Sequence, residues 1–196
     1  MEYKLVKDNK GCTLSKALIL KPNVYKDERG YFYESWNQKK FNNVINQNIS
    51  FVQDNESFSY FGVLRGMHYQ LNPYAQGKLL RVIKGTIHDV LVDLRIESST
   101  FLHWFGIDLS EENKLQLWIP EGFAHGFLTL TKFALVQYKV TNFWSKDFER
   151  TLKWNDKKVA IEWPLNPLNL NEPIVSKKDL EGKKIEDIIN KGEIFK

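Results

Sequence analysis

Within twenty residues, Phe51–Gln70 (FVQDNESFSYFGVLRGMHYQ) gathers Gln53, Asp54, Asn55, Arg65, His68 and Gln70. Histidine titrates near neutral pH and can take a proton from a ligand. Arginine offers a forked cation that matches a phosphate or carboxylate. Six strongly polar groups on what should be adjoining strands exceed the needs of a barrel surface. The competing reading is a solvated face, with His68 a satisfied core histidine. Arg65 and His68 would fall on opposite faces of a regular strand, so a shared site requires Gly66 to supply a bulge.

Two more stretches put ionisable groups among apolar ones. Alternation along Lys78–Lys84 places Lys78, Leu80, Val82 and Lys84 on one face, and along Leu135–Thr141 it groups Val136, Tyr138 and Val140. In Ile87–Asp93, Asp89, Leu91 and Asp93 share a face, with Val90, Val92 and Leu94 on the other. Polar groups on the inward face of several strands are what a barrel needs if its lumen holds a polar ligand.

The elements that must position these residues are short runs bounded by turn signals. Strands are expected at Ala17–Leu20, Gly30–Trp36, Phe51–Ser57, Val63–Gln70, Lys78–Lys84, Thr86–Leu94, Phe105–Leu109, Gln116–Ile119, Gly126–Leu130 and Leu135–Thr141. Helical spacing marks Asn37–Asn46, behind a possible Asn37 cap, and Leu180–Asn190. Many short strands and few helices read as an all-β barrel or sandwich.

Composition narrows the function classes. The chain has 196 residues, with 28 Lys and Arg against 24 Asp and Glu, enough for one sizeable core over 1–196. The excess of +4 is scattered, so no basic run marks a nucleic-acid face, although it suits an anionic small molecule. No apolar run reaches the roughly 18 residues of a membrane helix. The start MEYKLVKDNKG carries no signal-peptide pattern, and the single Cys12 cannot make an internal disulfide. A cytoplasmic location is expected.

Five motifs in colinear order now support a resemblance. DERGYFYESWN (Asp27–Asn37), Phe51–Gln70, QGKLLRVIKG (Gln76–Gly85), QLWIPEGFAHGF (Gln116–Phe127) and YKVTNFWS (Tyr138–Ser145) resemble the dTDP-4-dehydrorhamnose 3,5-epimerase family, from about Leu18 to Asp179. The resemblance implies a cupin-like antiparallel β-barrel (jelly roll) with a few short helices, the stretch 176–196 forming a helical extension. It implies epimerisation at C3 and C5 of dTDP-4-dehydro-6-deoxy-D-glucose without a cofactor. A mono-epimerase, a GDP-heptose relative and a non-catalytic sugar-binding cupin are the alternatives.

Both reacting carbons lie α to the C4 ketone, so loss of either proton gives an enolate. Such chemistry needs a base, a group at O4 and an acid on the opposite face. By resemblance His68 is the base, Lys78 stabilises the enolate oxygen and Tyr138 is the acid. Asp179 orients the base by resemblance, with Asp89 the competitor; Ser176–Asp179 is also a capping-box pattern. Arg29 and Arg65 match phosphate-binding positions, with Lys178 a further contact. Glu34, Gln53, Asp54, Asn55, His125 and Glu149 match other substrate contacts, and Tyr31 and Phe143 lie where the family stacks on thymine, Trp144 being the alternative to Phe143. Pro120–His125 resembles the second cupin motif, but Lys84–Asp89 holds only one histidine, so no metal is expected there. His88 and His103 read as structural or exposed. The resemblance also implies a homodimer that exchanges N-terminal strands, with Ala17–Leu20 as the edge element.

Overall fold

Two antiparallel sheets face one another across a shared apolar core. In the computed structural model, which describes residues 2–196, one sheet has the order β1 (Glu2–Lys7), β2 (Thr13–Lys21), β10 (Gln116–Ile119), β7 (Lys78–Lys84), β12 (Phe133–Val140) and β5 (Gln53–Tyr60). The other has the order β13 (Glu149–Thr151), β6 (Leu64–Gln70), β11 (Phe123–Thr129), β8 (Thr86–Asp93) and β9 (Trp104–Ser110). A separate hairpin joins β3 (Val24–Asp27) to β4 (Gly30–Tyr33). This is the all-β, cupin-like jelly roll that the strand pattern and the resemblance lead one to expect. Among the described residues no helix is long and apolar enough to cross a membrane.

Period-2 alternation sends successive side chains into different layers. Leu80 and Val82 of β7, Val136 of β12, and Ile87 and Leu91 of β8 meet between the sheets. Leu79 of β7 points outward to Trp118, Leu18 and Phe41, Phe41 lying on α1 (Gln38–Ile45). Val90 and Val92 of β8 point outward to Ile185 and Ile188. Both sheets are therefore covered on their outer faces, which is why several strands lack a clean polar face. Leu80→Ala in the inner layer should cost about 2–5 kcal/mol, the usual range for a buried leucine.

Several boundaries differ from expectation for identifiable reasons. Asn37 does cap α1, its side chain accepting from the Lys40 N–H at 3.0 Å. The Leu180–Asn190 helix instead divides into α2 (Lys177–Leu180) and α3 (Ile185–Asn190). Between them Lys183 pairs with the chain beside β13, donating to Thr151 O and accepting from Lys153 N. Tertiary pairing overrides helical spacing there. Ala17–Leu20 lies inside β2, which is flanked by β1 and β10 of the same chain, so it is not a sheet edge. The sequence pattern missed β1 because it is nearly all exposed, and β3 and β13 because they are only four and three residues long.

Candidate active site

The site is built where the two sheets part. β6 brings His68 to it from one wall, while β7 and β12 bring Lys78 and Tyr138 from the other. A bulge makes the β6 side possible. Its register with β11 pairs His68 with His125 and Arg65 with Phe127, so Gly66 and Met67 together oppose Gly126 alone. The extra residue turns Arg65 and His68 toward the same side. Only glycine fits at position 66: φ is +131°, and a Cβ there would stand 2.5 Å from Gly126 Cα.

The cavity at this end has a volume of about 110 Å³. His68, Lys78 and Tyr138 line it, as do Gln53, Asn55, Glu149 and Trp144. His68 Nε2 lies 2.5 Å from Asp179 Oδ1. An ionised carboxylate can only accept, so Nε2 carries the hydrogen and Nδ1 keeps a free lone pair. Burial lowers the pKa of His68, partly offset by the hydrogen bond and charge of Asp179. The ring is therefore a neutral acceptor at physiological pH. Asp179 reaches it from α2, where Ser176 Oγ caps the helix by accepting from the Asp179 N–H at 3.2 Å. The two readings of this residue do not exclude one another: its backbone N–H serves the helix and its carboxylate meets the histidine.

Lys78 is buried, and desolvation pulls its pKa down to about 8; the charges of Glu149 and Asp89 oppose the shift. It remains cationic near pH 7. Its Nζ donates to the carbonyl of His68 at 3.3 Å, which places the ammonium beside that residue. Burial raises the pKa of Tyr138, so its hydroxyl keeps its proton. Glu149 pairs with Lys178 at 2.6 Å on the cavity rim. Arg65 donates to Ser59 Oγ at 2.9 Å and to the Phe58 carbonyl, which fixes its guanidinium near the mouth.

Asp89 does not serve His68. Both its oxygens lie 2.9–3.0 Å from Nε2 of His125, and the pair is buried on the strands next to His68, with His125 its ladder partner. Gln53 donates to Asn55 at 2.7 Å and accepts from the Trp144 N–H, so this amide pair and the 143–145 loop are coupled. Gln70, grouped with the polar cluster but given no role, holds the same loop through the Phe143 carbonyl and the Ser145 N–H. Gln76 also lines the cavity, and its only sequence signal was its place at the head of the QGKLLRVIKG motif.

Other expected contacts lie elsewhere in this chain. Asp54 sits between Gln53 and Asn55 on β5, so alternation turns it outward, where it pairs with Lys139 at 2.8 Å. It lines a second cavity of about 300 Å³ on the outer face of the sheet, which holds no histidine. Phe143 is exposed and absent from the catalytic wall, whereas Trp144 is on it. Arg29, Tyr31 and Glu34 belong to the β3–β4 hairpin and the segment after it, away from the cavity. Arg29 pairs with Asp27, Tyr31 accepts from Lys114 Nζ at 2.9 Å, and Glu34 pairs with Lys40 at 2.8 Å. Among the described residues, no group of three metal-type donors involves His68 or His125.

Comparison with known proteins agrees with this geometry. The family model described as dTDP-4-dehydrorhamnose 3,5-epimerase matches residues 11–187. A dTDP-4-dehydrorhamnose 3,5-epimerase of Shigella flexneri is 54% identical over 171 residues, covering 87% of this chain and 92% of its own. The enzyme of that name from Methanothermobacter thermautotrophicus is 44% identical and covers 95% and 96%. The crystal structure of dTDP-6-deoxy-D-glucose-3,5-epimerase from Legionella pneumophila, in complex with dTDP-4-keto-L-rhamnose, superimposes with a TM-score of 0.88. That pair is 38% identical, covering 100% of this chain and 98% of the other. By sequence and by fold alike, this chain belongs to the dTDP-4-dehydrorhamnose 3,5-epimerase family.

Proposed function

We propose that this chain converts dTDP-4-dehydro-6-deoxy-D-glucose to dTDP-4-dehydro-L-rhamnose by inverting C3 and C5. The observation that carries the reading is the placement of His68 on one sheet and Tyr138 on the facing sheet of a common cavity. Epimerisation removes a proton from one face of a ring and returns one to the other, so base and acid must come from opposite walls. His68 Nδ1 takes the proton from the carbon next to the ketone. The electron pair moves to O4, where the Lys78 ammonium stabilises the enolate. Tyr138 then donates its phenolic proton to the opposite face of the same carbon; solvent takes the proton from His68 and returns one to Tyr138, and repetition at the second carbon completes the reaction.

The cavity is smaller than the roughly 300–1,000 Å³ of ordinary ligand pockets. It suits the reacting sugar, leaving the nucleotide along the rim, where Arg65 and Lys178 can meet the diphosphate, with Gln53, Asn55 and Trp144 at the base. His125, which does not line the cavity, supports His68 from the neighbouring strand.

A homodimer is part of the proposal. The β3–β4 hairpin exposes Tyr25, Tyr31 and Phe32, an apolar patch unusual on a monomer. Its role is to carry Arg29, Tyr31 and Glu34 to the partner's cavity mouth. Cys12 is free, as suits a cytoplasmic enzyme of nucleotide-sugar synthesis. The direct test is the proton NMR spectrum of product formed in deuterated water. Deuterium at both C3 and C5 of a manno-configured L-sugar is expected. Incorporation at one carbon alone would make it a mono-epimerase, and none at either would end the proposal.

A further inference from the structure

We propose that Asp8, Cys12 and His103 form a structural zinc site that ties the N-terminal hairpin to the barrel. Asp8 and Cys12 flank the turn between β1 and β2, and His103 immediately precedes β9. One donor atom from each, a carboxylate oxygen, a thiol sulfur and an imidazole nitrogen, lies within 4.8 Å of the other two. These are the three ligand types that zinc takes in tetrahedral sites. None of the three lines the catalytic cavity.

The carboxylate is already aimed. Asp8 is buried, and its Oδ1 accepts the N–H groups of Lys10 at 2.9 Å and Cys12 at 2.7 Å. Such outer hydrogen bonds fix a ligating carboxylate in orientation. Its other oxygen lies 2.5 Å from His103 Nδ1, with one hydrogen between them. A metal ion would take the place of that hydrogen. Zinc–ligand bonds of about 2.0–2.3 Å put tetrahedral donors roughly 3.3–3.7 Å apart, so His103 withdraws by about an ångström and Cys12 rotates inward. Cys12 is exposed, so its thiol can turn without disturbing the core. Carboxylate and thiolate together balance the double positive charge, and water fills the fourth position. Asp8 lies outside residues 11–187, which the family model matches, whereas Cys12 and His103 lie within them.

Metal binding requires the thiol to lose its proton, so affinity should fall as the pH is lowered. The test uses the full chain, stripped by chelation and then titrated with Co²⁺ and Zn²⁺. One Co²⁺ per chain is expected, with a thiolate-to-cobalt charge-transfer band that Zn²⁺ abolishes by displacement. Cys12→Ser should lose the band, and His103→Asn should weaken binding about tenfold or more. Zinc should also raise the melting temperature of the wild type and not that of Cys12→Ser. Neither substitution touches the catalytic cavity, so epimerase turnover should persist in both. Absence of both band and thermal shift in the wild type would overturn the proposal. So would binding that survives unchanged in both variants.

Discussion

Two histidine–aspartate pairs stand side by side on the β6–β11 ladder, and they are built for different work. His68 presents a side chain 27% exposed to the cavity and takes its aspartate from a helix 111 residues further on. His125, directly opposite, is sealed in the sheet and takes Asp89 from the neighbouring strand β8. The exposed ring can exchange protons with a ligand. The sealed one, with both carboxylate oxygens on a single nitrogen, is held rigidly and can only hold something else in place. A carboxylate beside a histidine is thus not enough to identify a base; access decides between them.

The largest expected effect separates the two rings. His68→Asn should abolish turnover and also the exchange of substrate C3 and C5 protons with deuterated water. His125→Asn should slow turnover but leave exchange measurable, because the base and Lys78 remain. Exchange that survives His68→Asn and vanishes in His125→Asn would reverse the assignment. Tyr138→Phe comes next. It leaves base and enolate site intact, so deuterium should enter recovered substrate with its configuration kept. Epimerised product should fall by about 10²–10⁴, the usual cost of losing a general acid. If Tyr138 were only a packed ring, the substitution would be close to neutral.

Arg65 shares the bulged strand with His68 and tests whether the bulge serves binding as well as catalysis. A charge-assisted hydrogen bond to a phosphate oxygen contributes about 1.5–3 kcal/mol. Arg65→Ala should therefore weaken dTDP binding roughly ten- to a hundredfold by calorimetry. Unchanged affinity would place the diphosphate elsewhere. Arg29→Ala should show a loss of the same order only if the partner's hairpin reaches the cavity, since in its own chain Arg29 meets Asp27 alone.

Much of this was legible in the sequence because strand alternation is a strong code. Lys78 and Tyr138 fall on inward positions by counting alone, and the conflict between Arg65 and His68 required a bulge at Gly66, which the register shows. Alternation also carries Asp54 outward, although the resemblance grouped it with its neighbours. What could not be read was long-range. Local sequence near His68 does not name its carboxylate: only the resemblance points to Asp179, with Asp89, which His125 engages, as the competitor. The hairpin residues carry family motifs, but within one chain they do not line the cavity of His68. The second helix failed because pairing beside Lys183, a contact absent from local sequence, took the middle of it.

The smallest effects are shifts in pH dependence, and they test the two pairs independently. The proposed mechanism needs His68 neutral and Lys78 protonated, so kcat/KM should be bell-shaped. The acid limb belongs to His68, held below the ordinary histidine value by burial. The alkaline limb belongs to Lys78, near pH 8. Asp179 raises the pKa of His68, so Asp179→Asn removes that support and should move the acid limb to lower pH, with a reduced plateau from the loss of orientation. Asp89 raises the pKa of Lys78 and has no such influence on His68. Asp89→Asn should therefore leave the acid limb in place and move the alkaline limb downward, narrowing the bell from the other side. Measured on purified variants at constant ionic strength, these two shifts are opposite in their effect on the width of the profile. An acid limb that moves in Asp89→Asn and stays fixed in Asp179→Asn would mean that the sealed pair, not the exposed one, governs the base.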